Sequence, residues 1–64
     1  MKEFTIEQVG NIFKTETFKT LTPMKYKGAN YIFQFDFEAE KKGGRIINIV
    51  KTGLPAKTVG FFKY

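Results

Sequence analysis

Asp36, Glu38 and Glu40, spaced two apart and followed by Lys42, have the residue types of a metal-dependent nuclease. Such sites gather carboxylates around a divalent cation and set a lysine near the phosphate under attack. The same spacing has a simpler meaning, since period two marks the solvent side of an amphipathic strand. No second acidic cluster accompanies it, and 64 residues are too few to house that kind of enzyme. Other catalytic chemistry lacks its parts as well. The chain has no His and no Cys, so it holds no ordinary neutral-pH base and no thiol nucleophile. Lys or Tyr could serve, but no partner motif stands beside one, and no Gly-rich phosphate loop joins a strand to a helix. The expectation is a non-enzymatic protein with no cofactor and no metal.

Binding chemistry is better represented. Ten Lys and one Arg against six acids leave a formal charge of +5. In so small a chain this favours association with phosphate backbones or with acidic protein surfaces. A charge of this size also keeps ordinary small domains soluble. The basic positions gather around turns. Lys41, Lys42 and Arg45 surround Gly43 and Gly44, Lys25 and Lys27 precede Gly28, and Lys51 and Lys57 flank Gly53. Lysines beside exposed rings suit a nucleic-acid backbone. The expected nucleic-acid contacts are therefore Lys41, Lys42, Arg45, Lys27, Lys51 and Lys25, with Tyr26 as a stacking ring. Charged hairpin tips also deter edge-to-edge aggregation, which is the plainer reading of Lys41 and Lys42. A single Arg limits bidentate base readout, so DNA or RNA would be bound with low sequence specificity.

Two stretches resemble known nucleic-acid-binding signatures. Lys27-Gly28-Ala29-Asn30-Tyr31-Ile32-Phe33-Gln34-Phe35 resembles the RNA-recognition signature, but departs from it with Ala29 in third place and Gln34 in eighth. Thr5 to Phe13 resembles the opening helix of a helix-turn-helix protein. That resemblance implies a recognition helix from about Glu16, where a Thr-rich stretch is a poor helix former.

The elements that must position these groups are legible in part. Phe4 to Phe13 reads as a helix, with Thr5 and Gln8 forming a capping box and Ile6, Val9, Ile12 and Phe13 on its apolar side. Gly10 weakens its middle by roughly 1 kcal/mol relative to Ala. Thr15 to Thr22 is β-branched and reads as extended up to the break at Pro23. Met24 to Lys27 is a short strand, and Gly28-Ala29-Asn30 a turn. Tyr31 to Glu38 alternates strictly, which places Tyr31, Phe33, Phe35 and Phe37 inward on a strand. A three-residue loop with left-handed Gly43 then leads to a strand from Arg45 to Lys51, setting Phe37 opposite Ile47 and Phe35 opposite Ile49. Ile32, Ile46 and Val50 fall on the outer side among Gln34, Asp36, Glu38 and Asn48, a mixed face that something covers in part. Lys57 to Tyr64 reads as an edge strand or a docked tail, with Tyr26, Tyr64 and one of Phe61 or Phe62 exposed.

A chain this short buries only about 60% of its unfolded surface, so eight Phe and three Tyr must supply most of the core. The expectation is one α+β domain over residues 1–64, with one N-terminal helix packed on a curved antiparallel sheet of three to four strands. Without cysteines, an 18-residue apolar run or a signal peptide, it is expected to be soluble and cytoplasmic, with no membrane contact. The competing functional reading is a small protein-binding inhibitor or regulator of the mobile-element or phage type. It would grip an acidic protein partner through the mixed sheet face or the aromatic C-terminus. A third is a homodimer joined through sheet edges.

Overall fold

The computed structural model describes Met1–Tyr64 and is an α+β domain built on one five-stranded sheet. In chain order the elements are β1 (Lys2–Phe4), α1 (Ile6–Phe13), β2 (Met24–Tyr26), β3 (Ala29–Phe35), α2 (Phe37–Lys41), β4 (Ile46–Lys51) and β5 (Lys57–Lys63). The strands lie in the order β1-β5-β4-β3-β2, with β1 parallel to β5 and every other pair antiparallel. The sheet is thus wider than composition suggested, and mixed. The extra strand is β1, three residues that carry no periodic signal of their own and exist by pairing with β5.

α1 forms where its caps dictate. The Thr5 hydroxyl accepts from the Gln8 N–H at 3.1 Å, and the Gln8 side chain accepts from the Thr5 N–H at 2.9 Å. Two of the helix's orphan donors are satisfied by this reciprocal pair. Lys14 ends the helix in the left-handed region, with φ 52. Val9 is fully buried, while Ile6 at the helix start is 43% exposed and contributes least to the apolar stripe. Phe4, expected to begin the helix, belongs to β1 instead.

The core is Val9, Phe33, Ile47, Ile49 and Phe62, ringed by Phe4, Phe13, Phe18, Met24, Tyr31 and Val59. Its rings interlock at edge-on and tilted angles. Phe33 lies 5.4 Å from Phe13 and 5.4 Å from Phe62, and Phe18 lies 5.4 Å from Phe62. Such geometry adds about 0.5–1.5 kcal/mol per pair beyond area burial. Gly60 is needed where β1 meets β5. A Cβ there would lie 2.6 Å from the Phe4 ring and 2.8 Å from the Lys2 carbonyl.

Four expectations need correction. The strand β3 stops at Phe35, because the Asp36 carboxylate accepts from the Ala39 N–H at 3.1 Å and caps α2. Phe35 and Phe37 are consequently not core: they are 37% and 62% exposed. Asp36, Glu38 and Glu40 sit on one helical turn and not along the outer side of a strand. With α2 taking up residues, β3 and β4 pair Phe35 with Ile47 and Phe33 with Ile49, two residues from the expected register. A two-residue slide keeps the paired side chains of β3 and β4 on their expected faces, as a one-residue slide would not. The stretch after α1 is no strand. Thr15 closes a local turn by accepting from the Thr17 N–H, and Leu21 is left-handed at φ 62. It also holds no second helix, so the helix-turn-helix resemblance ends at α1. Finally, β5 is an interior strand between β1 and β4, with Phe62 fully buried and Gly60 within the sheet.

Candidate nucleic-acid interface

The direction of each strand decides where each charge falls. β3 runs from Ala29 to Phe35, β4 returns, and β5 runs forward again, with the tight turns at opposite ends of the sheet. Seven residues of β3 at about 3.3 Å each set the two ends roughly 20 Å apart. The expected contact residues do not form one cluster. Lys25, Tyr26, Lys27 and Lys51 stand at the end where β3 begins, whereas Lys41, Lys42 and Arg45 stand at the end where it finishes.

The first end gathers lysines. Tyr26 pairs with Ala29 and leaves Lys27 and Gly28 as a two-residue turn, with φ 48 and 80 respectively. That is the geometry a hairpin's twist prefers, usually built on Asn-Gly. Lys27 occupies the place at some cost and reaches back over the Tyr26 ring, its Nζ 5.5 Å from the centroid. Tyr26 is half-buried, with Phe13 at 5.9 Å and Tyr31 at 6.4 Å. Lys51 pairs with Tyr31 on one side and with Lys57 on the other. Two exposed ammonium groups directly opposite on one face repel. Lys14 is at the end of α1 that packs through Phe13 onto Tyr26 and Tyr31, and it too is left-handed. Glu16, just after it in sequence, is the sole carboxylate near this group.

The second end is mixed. Lys41, Lys42, Arg45 and Lys63 share it with Glu3, Glu7, Asp36, Glu38 and Glu40. Lys41 lies 3.9 Å from Glu38 and Lys63 lies 3.8 Å from Glu3. These exposed pairs stabilise little, but the carboxylates offset the positive field that a polyanion would feel. Phe35 and Tyr64 meet with centroids 6.0 Å apart, and the Arg45 guanidinium sits 4.7 Å over the Tyr64 ring. Tyr64 is held there by its N–H, which donates to the Arg45 carbonyl at 3.0 Å.

The chain matches no protein-family model, no curated protein and no solved structure. No helix is long and apolar enough to cross a membrane. No group of three His, Cys, Asp or Glu side chains is placed to hold a metal ion. A cleft of about 100 Å³ opens between α1 and the sheet, and every residue lining it is hydrophobic, Tyr26 and Tyr31 among them.

Sequence reasoning passed over Lys14 and gave Lys57 no role in the site. A signal for Lys57 was present, since it stands six residues after Lys51 across a Gly-Leu-Pro turn. None existed for Lys14, because only the packing of α1 brings it to the lysine end. On the outer sheet face, Ile32, Gln34, Ile46, Asn48 and Val50 keep their expected side, and β5 adds Phe61 opposite Asn48. Val50 is already 7% exposed there, and the Asn48 side-chain oxygen is buried without a partner.

Proposed function

We propose that this domain is a non-enzymatic nucleic-acid-binding protein that grips phosphate backbones through its lysine end, with low sequence specificity. The observation that carries the reading is the cross-strand pairing of Lys51 with Lys57 on the face of Tyr31, with Lys27 at the neighbouring turn and Lys25 at the same end on the opposite face. Opposed ammonium groups weaken the fold locally, and an anion seated between them turns that repulsion into attraction. Two features support it further. Lys14 and Lys27 both occupy left-handed backbone positions that glycine or asparagine would fill with less strain. The half-buried Tyr26 ring beside Lys27 leaves its exposed rim for contact with an unpaired base. The absence of cysteine fits action in the cytoplasm.

This refines the expected site. Lys25, Tyr26, Lys27 and Lys51 stay in it and Lys14 and Lys57 join, while Lys41, Lys42 and Arg45 belong to the other end. Fluorescence anisotropy of labelled single-stranded and duplex DNA and RNA tests the proposal. Micromolar binding is expected at low salt, its logarithm falling linearly with the logarithm of salt concentration. No binding of any of the four at low salt would sink it. Affinities differing more than about a hundredfold among unrelated sequences at one salt concentration would refute low specificity.

The alternative, a protein-binding regulator, draws on the exposed rings of the mixed end. Heparin separates the two readings. It displaces a ligand held by the lysines and leaves an aromatic protein contact largely intact.

A further inference from the structure

Exposed apolar side chains occur at both ends of the sheet, and one of them stands apart. Leu54 is 105% exposed, as open as in an extended peptide, against 81% for Met1 and 63% for Leu21. It lies in the loop of residues 52–56 that joins β4 to β5, all of them exposed. The loop is firmly presented. At its root the Thr52 N–H and hydroxyl both donate to the Asn30 carbonyl, at 2.9 and 3.2 Å. Gly53 takes φ 149, which residues with a side chain rarely adopt, and Pro55 restricts the backbone of Leu54 before it. Lysines surround that root: Lys51 and Lys57 on the face of Tyr31, Lys25 on the opposite face, and Lys27 at the adjacent turn. The loop itself carries no charge. A lone exposed leucine is ordinary on a protein surface. One held at a tip ringed by cations is placed where a bound polyanion would bury it.

We propose that Leu54 is a wedge that enters duplex DNA between adjacent base pairs while the lysines around it hold the phosphates. Resting on the nucleic-acid reading above, the wedge names its target, a duplex bent at a base step. Apolar side chains inserted at such steps unstack them and kink the helix, and the wider contact that follows offsets the unstacking. Duplex is favoured over single strands for a physical reason. Proteins hold unpaired bases by stacking them on rings, and this loop carries none. An anionic lipid surface would also attract lysines around an apolar tip. Lying on a membrane draws on a broad apolar face, however, and the loop offers only Leu54, Pro55 and Ala56. A wedge needs a single side chain. Pyrimidine–purine steps unstack most easily, so a TA step is the favoured point of entry, without any base being read directly.

Two readouts on one duplex separate the wedge from the phosphate grip. Anisotropy reports binding, and 2-aminopurine placed beside a central TA step reports unstacking as a rise in fluorescence. The unaltered protein should raise that fluorescence at least about twofold at saturation. Because Leu54 is fully exposed, Leu54→Ser should leave the urea midpoint in place. It should abolish the fluorescence rise and weaken duplex binding about tenfold, while affinity for single-stranded DNA stays within about twofold. Duplex binding with no rise in fluorescence overturns the wedge and leaves the phosphate grip standing, as does a rise that Leu54→Ser retains. No binding of any nucleic acid removes both. Co-sedimentation with vesicles of phosphatidylserine and phosphatidylcholine completes the test. Vesicle binding that Leu54→Ser loses, from a protein that leaves 2-aminopurine unchanged, would assign the tip to a lipid surface and overturn the proposal.

Discussion

The two ends of the sheet are made from the same kinds of residue and behave differently. Each carries lysines and at least one ring with a cation over it, Lys27 on Tyr26 at one end and Arg45 on Tyr64 at the other. At the lysine end the rings are tied into the core through Phe13, and the charges have almost no acids among them. At the mixed end the rings are exposed, and Lys41 and Lys63 each lie beside a carboxylate. Counting basic residues would rank the ends alike. What separates them is the company those residues keep, because a field depends on the sum of nearby charges and decays over about 8–10 Å in physiological salt.

The change that tests both ends at once is Gly60→Val. Phe4 and the Lys2 carbonyl occupy the space a side chain would need. Overpacking there should cost about 2–3 kcal/mol, a large share of the stability of so small a domain, read as a fall in urea midpoint. Both ends should fail together. If the midpoint stays put, β1 is not held against β5 as described.

Separating the ends calls for charge reversal. Lys51→Glu/Lys57→Glu is expected to cut affinity for single-stranded DNA on the order of a hundredfold at low salt, measured by anisotropy. Lys41→Glu/Lys42→Glu should cost under about fivefold. Equal losses would erase the distinction between the ends. With roughly three or four phosphates engaged, the slope of log affinity against log salt should lie near −2 to −3 for single strands. The Lys51/Lys57 variant should flatten that slope, and the Lys41/Lys42 variant should not.

A smaller effect sharpens the comparison. Lys27→Asn should raise stability by about 0.5 kcal/mol, since asparagine tolerates the left-handed turn better, while weakening binding about threefold. Opposite signs in the melting and anisotropy data would mark Lys27 as kept for contact. A variant that is more stable and binds as well would remove that support. Smallest of all, Tyr64→Ser should leave nucleic-acid affinity within about twofold, because its ring lies at the far end.

How much of this was legible depends on how local each determinant is. The capping box of Thr5 and Gln8, the buried face of Val9 and the left-handed Gly43 all follow from neighbours in sequence. So does the division of β3 and β4 into faces, which parity preserves even when the register slides by two. The helix α2 was legible too, in Asp36 as cap, Glu38 and Ala39 in its first turn, Lys41 at its end and Gly43 beyond. The alternation from Tyr31 onward masked it, because a period-two pattern says nothing about where it stops. Phe37 was misplaced for that reason.

By itself, then, the chain's order of residues determined one capped helix, an aromatic core, two strands with known faces and an excess of positive charge. Those are properties of spacing and composition, and they act over a few residues. Which end each lysine reaches, that β5 lies inside the sheet, and that β1 pairs parallel to it were decided only by tertiary structure. Strand order joins residues as distant as Lys2 and Gly60. No local preference records that choice, which is made by the joint packing of Phe4, Val9, Phe33 and Phe62 around one small core.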